Sequence, residues 1–178
     1  MKIAYNRIGT KKTINYVIFG LIFILFSLSA KAQETPENPP IPIQVQVNTS
    51  QSLNFGAFTV GSGTGSVTIN SNGSRSNTGD TYLLNMGATP SAALFDVTAN
   101  PGTIIQIQPE SSINLVGSKG GSITLNIDSY STGQTFITTA IPPSINSVYV
   151  GGTLSSGGSS ANPPGQYNGS FTLTFIQQ

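Results

Sequence analysis

The sequence contains no histidine and no cysteine, and only 7% of its residues are charged. Histidine is the usual general base near neutral pH, and cysteine supplies thiolate nucleophiles and zinc ligands. Without cysteine the chain also forms no disulfide. These absences indicate that the protein is not an enzyme, and we expect no catalytic residue, no cofactor and no zinc or copper site.

Carboxylates are the remaining side chains that can carry chemistry. A pair of them suffices for glycoside hydrolysis, but no local motif links any two of the four at Asp80, Asp96, Glu110 and Asp128. Asp80 and Asp128 lie beside turn residues, where a carboxylate commonly caps the backbone. Calcium needs only carboxylates and carbonyl oxygens, so a structural calcium ion stays an open alternative with no residue assigned to it.

The first 32 residues have the pattern of a secretory signal peptide. Basic residues precede an apolar run at 16–28, which is followed by the small residues Ala30 and Ala32. The apolar run is shorter than the roughly 20 residues that a membrane-spanning helix needs. We therefore expect cleavage after Ala32, and a mature protein that is secreted, periplasmic or at the cell surface.

Removal of this segment changes the charge of the chain. Five of the seven basic residues lie within it, which leaves two, Arg75 and Lys119, against six acidic ones, a formal net charge of −4. An acidic protein with two cations cannot neutralise a row of phosphates. We expect no nucleic-acid partner, and no membrane span in the mature chain.

The mature chain divides into a tether and one domain. Residues 33–40 contain three prolines and no aliphatic or aromatic residue, which predicts a flexible, extended tether. Residues 41–178 have the length of a single domain. Their apolar residues form short runs between turn signals and never repeat at the helical spacing, which predicts an all-β fold.

Both ends of this domain alternate with a period of two, as strands do when one face meets a core and the other meets water. At the start, the alternating residues are Ile41, Ile43, Val45 and Val47. At the end, within a strand expected over 165–175, they are Tyr167, Phe171, Leu173 and Phe175.

Between these ends the turn signals separate further strands. Residues 61–65 predict a glycine-rich turn, Asn72-Gly73 predicts a hairpin turn, and Gly151-Gly152 predicts an interruption. The strands are expected at 53–60, 66–70, 74–78, 81–86, 92–98, 103–108, 112–116, 122–128, 136–141 and 147–154. This many short strands at regular spacing predict a Greek-key β-sandwich.

Several motifs occur in an order that resembles a bacterial domain-of-unknown-function family of small exported proteins. They are Leu53-Asn-Phe-Gly56, Asn72-Gly-Ser-Arg-Ser76, Ala93-Leu-Phe-Asp-Val-Thr98, Tyr149-Val-Gly-Gly-Thr-Leu154 and Pro164-Gly-Gln-Tyr-Asn-Gly-Ser-Phe171. That family is itself similar to spore-coat-U-like and fimbrial subunits. The resemblance implies an immunoglobulin-like sandwich, a surface location and a pilin-like role. Gly165 matches a glycine of such pilins, whereas Gln177 stands where they carry a penultimate tyrosine.

Two functions remain open at this point. The first is a structural subunit that associates with itself or with another surface protein by β-strand addition at sheet edges, through the two alternating segments named above. Whether residues 41–47 complete their own sheet or a neighbour's stays open. The second is a monomeric binding module, an adhesin or glycan-binding sandwich that presents loops such as residues 155–164. Tyr82, Tyr130, Tyr149 and Tyr167 are candidates for a sugar-stacking platform, although anchoring in or beside the core is the expected role of each.

The signal-peptide prediction can be checked by mass. Intact-mass measurement of the exported protein should place its N-terminus at Gln33, as glutamine or as its cyclised form. Recovery of the chain in a membrane fraction with Met1 retained would contradict both the location and the charge inferred above.

Overall fold

A computed structural model describes residues 42–47 and 51–178, and every regular element in these ranges is a β-strand. The expected signal peptide, the tether and Ile41 lie outside the described residues. The strands are β1 (Gln44–Val47), β2 (Phe58–Ile69), β3 (Arg75–Leu83), β4 (Ala93–Thr98), β5 (Ile104–Pro109), β6 (Ile113–Gly117), β7 (Ser122–Tyr130), β8 (Thr135–Ile137), β9 (Asn146–Ser156), β10 (Tyr167–Asn168) and β11 (Leu173–Gln177).

The strands form two sheets, and neighbouring strands pair antiparallel. The large sheet has the order β1-β4-β9-β7-β6-β10, with β2 also paired to β9 and β3 paired to β2. The small sheet has the order β11-β5-β8. No helix of the described ranges has the length and hydropathy that a membrane crossing needs.

The strand β9 is the centre of the large sheet. One of its edges pairs with β7, while the other is shared by β4 along Asn146–Val150 and by β2 along Gly152–Ser156. At the junction a Cβ atom on Gly151 would overlap the carbonyl oxygen of Ile69, and one on Gly152 would lie 2.6 Å from the carbonyl oxygen of Asn126. The expected interruption at the two glycines is therefore wrong: they keep β9 continuous while neighbouring backbones approach closely.

The core lies between the two sheets. Burial alternates along the strands, as in β6 and β7, where every second side chain is buried. Phe95 of the large sheet contacts Phe175 of the small sheet, with ring centroids 5.7 Å apart, and also Phe171, at 6.3 Å. The least exposed aliphatic side chains larger than alanine are Ile69, Val97, Ile105, Ile107, Val148 and Val150. The all-β, sandwich-like fold expected from the sequence is confirmed.

The glycine-rich stretch at 61–65 is not a turn. It belongs to β2, whose pairing with β3 shifts register between Val60 and Gly65. The strand expected over 53–60 begins only at Phe58, because Gly56 has a φ of 66° and Asn54 forms an isolated bridge with Ser91. The glycines at 61–65, which predicted a turn, instead allow a bulge within one long strand.

The hairpin expected at Asn72-Gly73 is confirmed, with Gly73 at a φ of 79°. The two strands expected after it, at 74–78 and 81–86, are one strand, β3. The segments expected at 92–98, 103–108, 112–116 and 122–128 correspond to β4, β5, β6 and β7, whereas β8 is shorter than the run at 136–141.

The terminal stretch departs most from expectation. The continuous strand expected over 165–175 is two strands in different sheets, since β10 pairs with β6 and β11 pairs with β5. The intervening residues 169–172 carry the chain from one sheet to the other. The inward set is nevertheless as expected, because Tyr167, Phe171, Leu173 and Phe175 all pack against the core.

The close approach at Gly151 predicts a specific loss of stability. Gly151→Ala should lower the free energy of unfolding by more than about 2 kcal/mol, because the added methyl group overlaps the backbone of β2. Urea unfolding measures the change. Ser155→Ala, at an exposed position of the same strand, should stay within about 0.5 kcal/mol of the unmodified protein. Equal midpoints for the two variants would contradict the packing described here.

Candidate functional site

The strand β11 forms one edge of the small sheet. Gln178 N donates a hydrogen bond to Ile104 O at 3.0 Å, and Glu110 N donates to Thr172 O at 3.3 Å. In an antiparallel pair, alternate residues exchange bonds with the partner strand, so Thr174 and Ile176 bond to β5 in the register shown by their partners Gln108 and Gln106.

The backbone groups of the intervening residues point away from β5. These are the N–H and C=O groups of Leu173, Phe175 and Gln177, and no strand of the described ranges pairs with them. Such a row is a template for a further strand. The period of two in the sequence could not reveal it, because alternation shows which face is buried and not which edge is paired.

The side chains hold this edge in place. Leu173 and Phe175 are half-buried against the core, and Phe175 contacts Phe95 of the large sheet. Thr174 is exposed on the outer face. The edge strand is therefore anchored to the core from one side, and its apolar side chains keep some exposed surface.

The outer face of the small sheet carries no charge on its paired strands. Ile104 and Ile137 lie opposite each other there, 43% and 61% exposed. Their neighbours on this face are Gln106, Gln108, Thr135, Thr174 and Ile176. A strand that extended this sheet would meet no ionised side chain along the paired region.

Other edges of the described strands carry features that discourage pairing. The strand β3 has a register shift in its pairing and bears Asp80. The edges at β8 and β10 are only three and two residues long. Pro42, which lacks an N–H, lies two residues before β1. By contrast, β11 is Leu-Thr-Phe-Ile-Gln, without charge, proline or glycine.

The first alternating segment pairs within its own chain. Gln44–Val47 pairs with β4 in the register Gln44↔Thr98 to Val47↔Phe95. Ile43 packs against the core, whereas Val45 is 38% exposed. The candidate cleavage residues, Ala30 and Ala32, lie outside the described ranges.

The four tyrosines are not brought together as a platform. Tyr130 and Tyr167 pack against the core, and their hydroxyls donate to Ile127 O at 3.2 Å and to Pro163 O at 2.8 Å. Tyr82 and Tyr149 are exposed, at 57% and 36%.

Residues 155–164 were expected to form a loop that presents a ligand surface. The segment begins inside β9, and hydrogen bonds of Asn162 hold it against the sandwich. Asn162 is 5% exposed. Its Oδ1 accepts from Gly157 N at 2.7 Å, and its Nδ2 donates to Ser122 O at 2.7 Å.

The strand carboxylates hydrogen-bond local groups. Asp80 accepts from Gly63 N at 2.8 Å and from the Tyr82 hydroxyl at 3.1 Å. Asp128 accepts from the Thr153 hydroxyl at 2.7 Å. Asp96 lies 3.5 Å from the Ser147 hydroxyl, and Glu110 follows β5 at an exposed position. The described residues contain no cluster of three or more candidate metal ligands of the His, Cys, Asp or Glu type.

Arg75 joins two segments of backbone beside β2 and β3. Its guanidinium donates to Leu84 O at 3.3 Å and to Ala57 O. Burial lowers the pKa of Arg75 from its ordinary value. The side chain therefore supports the fold by bonding carbonyl oxygens.

The contact between Asp80 and Tyr82 predicts a titration. The hydrogen bond and then the negative charge of Asp80 raise the pKa of Tyr82. The neutral phenol is therefore favoured in the folded state, and the contact is lost as pH rises through this raised pKa. Asp80→Asn should lower the Tyr82 pKa toward its ordinary value, as measured by NMR titration. Asp128→Asn is the control and should leave Tyr82 unchanged. An unaltered Tyr82 titration in Asp80→Asn would show that the contact is absent in solution.

Comparison with known proteins places the chain in a family. Residues 45–176 match the model of the Domain of unknown function (DUF4402). No curated protein and no solved structure matches the chain. The match begins in β1 and ends in β11, so it includes the second alternating segment and, of the first, Val45 and Val47. Since it spans most of the sequence, the chain belongs to the DUF4402 family.

Proposed function

We propose that the protein is a structural subunit, pilin-like and secreted or held at the bacterial cell surface, that assembles by strand addition at β11. The observation that carries the proposal is the outward row of backbone groups at Leu173, Phe175 and Gln177, on a strand without edge protection. The partner is a second copy of this chain or another surface subunit.

Burial of apolar side chains contributes more to the free energy of adding a strand than backbone hydrogen bonds do. A hydrogen bond contributes only about 0.5–1.5 kcal/mol net, and ordering a flexible strand opposes the gain. Leu173 and Phe175 are half-buried because no described strand covers them from the edge side. Apolar side chains of an incoming strand would complete their burial, at about 0.8 kcal/mol for each CH₂ group removed from water.

Two geometries of self-association use this edge. Pairing of β11 with β11 of a second copy, centred on Phe175, places outward groups opposite outward groups and closes a two-fold dimer. Pairing of β11 with β8 of the next copy joins the two ends of the small sheet. It is heterologous and propagates as an open chain, although β8 offers only three residues for the pairing. Both geometries require the N–H groups of β11 that face away from β5.

Sedimentation of the mature chain tests the proposal. We expect species larger than a monomer that grow with concentration, and Gln177→Pro should abolish them. Proline at this position removes an N–H that faces away from β5 and leaves the β5 pairing intact. Gln177→Ala is the matched control: it removes the side chain, keeps the N–H, and should assemble normally.

A second variant addresses the face of the strand. Thr174→Lys places a cation on the exposed face of β11 and should weaken assembly without changing the urea midpoint. A single monomer boundary for the unmodified mature chain at every concentration, or equal assembly of Gln177→Pro and Gln177→Ala, would overturn assembly of the chain with itself through β11.

A further inference from the structure

A cleft of about 500 Å³ opens on the large sheet, away from β11. One wall is the β2–β3 turn at Ser71, Asn72 and Gly73, another is the segment before β4 at Ser91, and Tyr149 of β9 lies with Ser131 between them. The volume falls within the range of about 300–1,000 Å³ typical of small-molecule sites.

Hydrogen bonds fix the walls of this cleft before any ligand arrives. Ser71 N donates to Ser129 Oγ at 2.8 Å, which ties the turn to β7. Ser91 exchanges backbone hydrogen bonds with Asn54 at 2.8 and 2.9 Å, and its hydroxyl donates to Ser52 O at 2.7 Å. Preformed walls reduce the ordering cost of binding.

The position of Tyr149 is also fixed. Its N–H donates to Ser131 Oγ at 2.9 Å, and its carbonyl accepts from Ser131 N at 2.9 Å. Val148 and Val150 on either side are fully buried, so Tyr149 extends to the opposite face of the sheet. Its side chain is 36% exposed and lines the cleft.

The polar groups of the cleft are neutral. Asn72 Oδ1 accepts from Ser74 N at 2.9 Å, and within residues 42–47 and 51–178 neither Asn72 Nδ2 nor the Tyr149 hydroxyl forms a hydrogen bond. Amides and hydroxyls of Gln51, Asn72, Ser91 and Ser131 line the cleft, and none of the lining residues that the structure describes is charged. The cleft therefore offers both donors and acceptors beside one aromatic ring.

We propose that this cleft binds a neutral saccharide. Sugar hydroxyls donate and accept, as amides and serine hydroxyls do, and the apolar C–H face of a sugar ring packs on an aromatic face such as Tyr149. A sulfated, phosphorylated or uronic-acid ligand would place a charge where no lining residue is ionised, at a desolvation cost. The site lies on the large sheet and does not depend on assembly through β11.

NMR chemical-shift titration of the mature chain tests this site. The probes are neutral oligosaccharides of glucose, mannose, galactose, xylose and N-acetylglucosamine, with a sulfated oligosaccharide for comparison. At least one neutral probe should shift the amide signals of Asn72, Ser131 and Tyr149, and the sulfated probe should bind no more tightly.

Tyrosine variants make the test specific. Tyr149→Ala should raise the dissociation constant at least about tenfold, whereas Tyr82→Ala removes another exposed tyrosine, outside the cleft, and should bind normally. Asn72→Asp keeps an acceptor for Ser74 N and a residue that favours the turn. It removes the Nδ2 donors and adds a negative charge, so this variant should also lose saccharide binding.

Failure of all the neutral probes to shift these signals would overturn the proposal. Equal losses in Tyr149→Ala and Tyr82→Ala, or unchanged binding by Asn72→Asp, would do the same. Because Gln177→Pro leaves the cleft intact, it should bind the saccharide as the unmodified chain does, which separates this outcome from that of the assembly test.

Discussion

The close backbone approach at Gly151 and Gly152 is the constraint on which the large sheet depends. A single strand, β9, pairs with β7 on one edge and with both β4 and β2 on the other. Side chains at the junction would collide with the backbone at Ile69 and Asn126. The absence of two Cβ atoms therefore allows three strands to meet on one central strand without breaking it.

This junction also positions the cleft at Tyr149. The strand β2 ends at Ile69, beside Gly151, and the chain turns at once through Asn72-Gly73. Tyr149 lies two residues before Gly151, and Ser131, which directly follows β7, lies next to it. The turn, the ring and the serine are therefore held together by the pairing of β9, and the cleft needs no mobile loop to form.

The small sheet has a different role in the architecture. Its inner face closes the core through Ile105 and Ile107, and Phe175 reaches across to Phe95. The small sheet has only three strands, so its edge strands lie directly beside its central strand, β5. The core anchors β11, while one side of its backbone has no partner in the described chain. The small sheet thus covers the core with its inner face and presents, along β11, a row of backbone groups without a partner in the described chain. The cleft lies on the large sheet, so the proposed assembly and the proposed saccharide binding would use separate surfaces.

Local chemistry in the sequence determined the all-β class, the inward-facing residues and the Asn72-Gly73 hairpin, because a period of two and a turn dipeptide act between near neighbours. Only the tertiary structure decided that residues 61–65 extend a strand, that Gly151-Gly152 sustain one, and that the terminal stretch divides between two sheets. It also decided that β11 lies at an edge and that Tyr149, rather than Tyr130 or Tyr167, lines a cleft. A glycine is compatible with a turn, a bulge or a close contact, and alternation is the same in central and edge strands. The choice among these depends on partners far away in the chain.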